Sequence, residues 1–172
     1  MRFPEANRFK KTRFFVQKHI ESGTKILDLG TPNDLSKFIA SSGYTVHNTK
    51  GENLDTDFQP YLDTGVDCIT AFEIFEHMLA PFNILSQLKT QKLIASVPLK
   101  LWFASAYWNT KDDRDKHYHE FEQKQFDFLL EKSGWVVKDR LIWASPDPKK
   151  IGLRPLLRYF TPRYYMVYCE RA

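Results

Sequence analysis

Thr24-Lys25-Ile26-Leu27-Asp28-Leu29, closed by Gly30, decides the fold of this 172-residue chain. The run reads as a short buried strand, about residues 25–29, that ends in an acid and a glycine just before a helical pattern. In open α/β sheets that junction is where nucleotide-like ligands bind. The next residues, Thr31-Pro32-Asn33-Asp34, carry no further glycine. They make a helix start in their own right, with Thr31 as N-cap, Pro32 at the first helical position and Asp34 at the third.

Working outward, residues 5–21 have an apolar face of Phe9, Phe14, Phe15 and Ile20, which predicts a helix ended by Ser22-Gly23. A second helix is expected over 32–41 from Leu35, Phe38 and Ile39, and a strand over 44–47. Right-handed crossover makes the two strands parallel. Residues 48–66 are polar and acidic and hold no convincing helix. A strand at 67–71 follows. A helical stretch at 73–79 is interrupted or restarted by Pro81 and continued by Ile84, Leu85 and Leu88. Further strands are expected at 92–97, 135–143 and 164–170. A long aromatic loop covers 99–120, and a helix around Phe126, Leu129 and Leu130 ends at Ser133-Gly134. Strands alternating with helices predict a doubly wound, Rossmann-like α/β sheet. There are no repeats and no low-complexity linker. One domain is expected over 1–172, with an N-terminal helix to 22, a core over 24–143, and a basic aromatic segment plus last strand over 144–172.

Composition is that of a packed globular protein, 42% hydrophobic and 15% aromatic. No run approaches 18 apolar residues, so no membrane span is expected. The first residues carry no apolar signal region, and Cys68 and Cys169 read as two thiols of a reducing compartment. A cytoplasmic location follows as an expectation. Net charge is +4, with the excess at the two ends. Those ends read as solvated surface or as a meeting place for an anionic partner.

Four stretches together resemble small class I S-adenosylmethionine-dependent methyltransferases (type 11/23-like). Lys25 to Gly30 is similar to the family's first motif. Ala71-Phe72-Glu73-Ile74-Phe75-Glu76-His77-Met78 resembles its "EH" helix start. Ile94-Ala95-Ser96-Val97-Pro98 looks like its "VP" strand end. His117-Tyr118-His119-Glu120-Phe121 resembles its HxxxF, with Gly134-Trp135 following. The resemblance implies a mostly parallel sheet with an antiparallel last strand, and S-adenosylmethionine across the carboxyl ends of the first strands. The glycine motif is degenerate, because only Gly30 of the usual glycines is present. The chain is also short between the family's second and fourth strands, where about twenty residues replace a helix, a strand and a helix.

The resemblance places the cofactor against Asp28, Gly30, Asn48, Asp55, Asp57, Phe72 and Glu73. Asn48 stands near the place of the family's ribose-binding acid, and Asp55 and Asp57 border the adenine. The alternative for these acids is a solvated turn. His77, Glu76 and His117 are the candidate catalytic residues, His77 first because imidazole titrates near neutrality. The competing reading is a carboxylate at a helix start and histidines that only pack or fasten the loop. His117 and His119 have no third ligand nearby in sequence, and no Cys/His cluster has zinc spacing, so no metal is expected. Trp102, Phe103, Tyr107 and Trp108 either bind an acceptor or form a lid.

Three functions fit these residues. The first is methyl transfer from S-adenosylmethionine to an oxygen or nitrogen of a small-molecule acceptor. The second is a non-catalytic, methyltransferase-like binding protein that has lost the cofactor. The third, the least favoured, is a nucleic-acid or anionic-surface binder using the basic ends. A shortened chain of this kind also invites a protein partner that completes the crevice.

Overall fold

The computed structural model describes residues 3–172. Six strands form one sheet: β1 (Lys25–Asp28), β2 (Thr45–Asn48), β3 (Cys68–Phe72), β4 (Lys92–Pro98), β5 (Trp135–Ala144) and β6 (Pro162–Arg171). Their order across the sheet is β2-β1-β3-β4-β6-β5. β1 runs parallel to both β2 and β3, and β3 runs parallel to β4. β6 is antiparallel to β4 on one side and to β5 on the other. The expected mostly parallel sheet with an antiparallel end is therefore present. Residues 49–67 contribute one 3-10 turn, Gln59–Tyr61, and no strand, so the sheet stops at β2.

Two apolar layers sandwich the sheet. On one face, α1 (Phe3–His19) and α2 (Asp34–Ala40) bury Phe9, Phe15, Val16, Ile20, Leu35 and Ile39 against Ile26, Cys68 and Ile94. On the other, α3 (Pro81–Gln87) and α4 (Gln123–Lys132) bury Ile84, Leu85, Phe126 and Leu130 against Leu27, Ile69 and Leu93. β3 and β4 lie between both layers and read as continuous apolar runs, as doubly covered parallel strands do. Trp135 seals the second layer by donating its indole N–H to the Leu85 carbonyl at 2.9 Å.

Three local expectations change. α2 starts at Asp34, not at Thr31-Pro32, because Asn33 is the better cap. Its Oδ1 accepts the N–H groups of Leu35 and Ser36, and Ser36 Oγ accepts the N–H of Asn33. The stretch 73–79 is not an α-helix but a single 3-10 turn, Phe75–His77. Glu73 enters that turn with φ of +58°, the one non-glycine residue with positive φ among those described. Asp55 then accepts the N–H groups of Leu79 and Ala80, so the helical pattern restarts at Pro81. Finally, the basic segment contains an unexpected helix, α5 (Leu153–Phe160).

The chain leaves β1 toward β2 on one side and returns to β3 on the other. The crevice at this reversal opens at the carboxyl ends of β1 and β3, which is where ligands of such sheets sit.

Candidate active site

The carboxyl end of β1 is satisfied from within. Asp28 is buried, and its Oδ1 accepts the Thr70 hydroxyl at 2.7 Å. Asn48 spends both amide hydrogens here, on Asp28 Oδ2 at 3.0 Å and on the Gly30 carbonyl at 2.9 Å. Burial nevertheless outweighs these bonds and pushes the Asp28 carboxyl up to about 6. Asn48 therefore braces the turn with both of its donors. Gly30 does not need positive φ. Its value lies in its surroundings, since a Cβ there would touch Ile74 Cδ1 at 3.4 Å and narrow the crevice.

Two cavities meet at Gly30 and Ile74. The larger, about 570 Å³, is walled by Leu29, Thr49, Leu54, Met78 and Tyr118 and includes Asp55 and His77. The smaller, about 250 Å³, is lined by Glu5, Arg8, Asp28, Asp34 and Phe72. Asp57 lines neither, and its residue is exposed. Arg8 is a site residue that sequence reasoning missed. It comes from α1, and only the packing of that helix over β1 and β3 brings its guanidinium here.

The carboxyl end of β3 is arranged differently. Glu73 accepts the Ser96 hydroxyl at 3.0 Å and lies 4.0 Å from Arg8 Nη1. Burial raises its carboxyl above the ordinary range. Glu76 is only 1% exposed, and its Oε2 has no hydrogen-bond partner. Burial first, and then the neighbouring Glu73 charge, drive its carboxyl well above the usual value.

The loop after β4 is fastened onto this turn. Tyr118 and His119 donate their N–H groups to the Glu76 carbonyl at 2.8 and 3.2 Å. His77 Nδ1 meets the Lys116 carbonyl at 3.0 Å. These bonds bring His117 beside His77, ring centroids 5.0 Å apart and edge-on. His117 Nδ1 lies 3.0 Å from Glu120 Oε1, and burial lowers the His117 pKa below the ordinary imidazole value. Glu76, His77 and His117, far apart in sequence, thus form one cluster. Each offers a ligand atom within 4.8 Å of the others. The expectation considered His117 and His119 as the pair; the structure instead brings His117 to Glu76 and His77. His119 stacks on Phe121, with Nε2 3.3 Å from the Leu79 carbonyl.

Trp102, Tyr107 and Trp108 stay exposed and are not packed into the core. Lys116 Nζ sits 4.9 Å over the Trp108 ring. Behind His117 and Glu120, a cavity of about 300 Å³ is lined by Tyr107, Trp108, Arg154, Arg158 and Arg163. Arg8, Lys150, Arg154 and Arg158 share a second cavity of about 510 Å³. Burial and the neighbouring charges of Arg163 and Arg154 lower the Arg158 pKa.

No family model matches the chain, and no curated protein matches it. Solved structures do. Magnesium protoporphyrin IX methyltransferase from Synechocystis, with S-adenosylhomocysteine bound, is 12% identical with TM-score 0.63, over 98% of this chain and 84% of that one. A chain solved in complex with the Haloferax volcanii Trm112 methyltransferase activator is 13% identical with TM-score 0.59, over 98% and 96%. The cyclase SpnF is 10% identical with TM-score 0.56, over 94% and 80%. The fold is that of the class I S-adenosylmethionine-dependent methyltransferases, and SpnF is a reminder that one fold carries more than one chemistry.

Proposed function

We propose that the protein is an S-adenosylmethionine-dependent methyltransferase acting on an oxygen or nitrogen of a small, anionic acceptor. The observation that carries this reading is the pair of cavities joined at Gly30 and Ile74, with Arg8 and Asp34 at one end and His77 at the other. The residues fit the cofactor's chemistry. The apolar walls of Leu29, Leu54 and Met78 suit an adenine ring. Arg8 suits a carboxylate, and Asp28, Glu5 and Asp34 suit an ammonium. When bound, the cofactor supplies an electrophilic methyl group on a sulfonium.

The chain's own residues then have three tasks. The first is to hold the acceptor in line, which places reacting groups at high effective concentration. Arg154, Arg158 and Arg163 suit an anionic group on that acceptor, and Trp102, Tyr107 and Trp108 suit a planar or apolar part. The second is to take the acceptor's proton. His77 Nε2 is the base, because the Lys116 carbonyl accepts only and therefore fixes the proton on Nδ1. The third is to exclude water, which the loop fastened to the Glu76 carbonyl does by covering the histidines.

One observation favours a second reading, a binding protein without transfer. The Asn33 cap brings Asp34 into the smaller cavity, where it opposes a ligand carboxylate. A protein partner is a further part of the proposal, and the four-residue edge strand β2 is the place where it would extend the sheet.

Calorimetric titration with S-adenosylmethionine and S-adenosylhomocysteine separates the readings. Micromolar binding is expected, weakened roughly tenfold by Arg8→Gln through loss of one charge-assisted bond. No heat at millimolar ligand removes the enzyme reading.

A further inference from the structure

The Glu76 carboxylate ends inside the protein with one oxygen unanswered. A buried polar atom without a partner is rare and calls for an explanation. Beside this carboxyl group stand two imidazoles, His77 and His117, whose tautomers are dictated by their outer neighbours. The Lys116 carbonyl holds the proton of His77 on Nδ1, and the Glu120 carboxylate holds that of His117 on Nδ1. Both Nε2 atoms therefore carry lone pairs. His77 Nε2 lies 3.7 Å from Glu76 Oε1. An imidazole that donates its far N–H to a carbonyl or carboxylate is the arrangement that orients histidines toward a metal.

We propose that Glu76, His77 and His117 bind a divalent transition-metal ion, with Glu120 and the Lys116 carbonyl as its outer hydrogen-bond partners. Their ligand atoms lie within 4.8 Å of one another. Bonds of about 2.1 Å in tetrahedral geometry would draw them to roughly 3.4 Å apart, a closure of up to about 1.4 Å that side-chain rotation supplies. Two nitrogens and one carboxylate select zinc, cobalt, manganese or iron over magnesium, which prefers oxygen ligands. Three protein ligands leave a coordination position free, and His77 lines the cavity of about 570 Å³. A hydroxyl or water there would lose its proton more readily than in bulk. In the loaded protein that proton passes to solvent in the cavity that His77 lines, in place of transfer to His77. That catalytic consequence rests on the proposed function; the metal site does not.

The test is titration of the chelator-stripped full chain with Zn2+ and Co2+ alone, by calorimetry and by visible absorption of Co2+, without cofactor. One equivalent is expected to bind at micromolar concentration or tighter, with Mg2+ giving no heat. Glu76→Gln preserves shape and should weaken Zn2+ at least 100-fold, as should His117→Ala, whereas Glu120→Ala should cost about tenfold through the outer shell. Thermal unfolding of the metal-free variants checks that each folds. His19→Ala, which removes the imidazole beside Asp139, should leave Zn2+ affinity unchanged. Absence of one-to-one binding overturns the proposal, as does binding indifferent to both Glu76→Gln and His117→Ala. Cofactor binding is read separately, so either proposal can fail alone.

Discussion

The ends of β1 and β3 lie side by side in one sheet, yet one is closed and the other open. At β1 the polar atoms answer each other: Thr70 and Asn48 on Asp28, Asn48 on the Gly30 carbonyl, Asn33 and Ser36 on one another. At β3 a residue with positive φ leads into a buried, half-unsatisfied glutamate and two histidines with free nitrogens. Structures resolve their internal demands wherever nothing is bound, and leave them standing where something is. In the proposed function the difference puts the chemistry at β3 and gives β1 a supporting role.

The largest effect should come from the open side. His77→Ala and His117→Ala should each lower the methyl-transfer rate about 100-fold or more, while S-adenosylhomocysteine affinity stays within about twofold. Equal losses of affinity and rate would break the comparison. On the closed side, burial pushes the Asp28 carboxyl from its ordinary value up to about 6 in the folded protein. Below about pH 4 it is protonated in both states and adds nothing. As pH rises through about 6 the folded protein must ionise a buried group, and stability falls by about 3 kcal/mol. Asp28→Asn should flatten that fall between pH 4 and 6, measured by urea unfolding at several pH values. The smallest effect belongs to Asn48→Ala, which leaves two acceptors short of a donor. It should cost about 1–2 kcal/mol in the same assay and scarcely change the transfer rate. A large loss of activity would mean that Asn48 itself contacts ligand.

The contrast also explains what was legible in the chain. Ile26, Leu27, Ile69 and Ile94 announce buried strands because nothing else tolerates such short apolar runs between turn residues. The fold followed from them. Asp28 and Gly30 stand out by their place at a strand end. The partners of Asn48, Asp28 and the Gly30 carbonyl, become its neighbours only once β2 pairs with β1. The cluster of Glu76, His77 and His117 depends on three loop hydrogen bonds spanning some forty residues, which no local pattern encodes. Arg8 depends on helix docking. α5 was missed because its apolar residues, Leu153, Leu156 and Phe160, are exposed, and its composition reads as a basic loop.

Arg8 has one more consequence. It sits on α1, a helix held to the sheet by Phe9, Phe15, Val16 and Ile20, and reaches both the smaller cavity and Glu73. Anything that engages Arg8 must therefore also hold α1 down. The free energy of local opening of that helix rises with ligand concentration, by about 1.4 kcal/mol for each tenfold excess over the dissociation constant. Amide hydrogen exchange along residues 3–19 then becomes a built-in gauge of occupancy, slowing as the crevice fills.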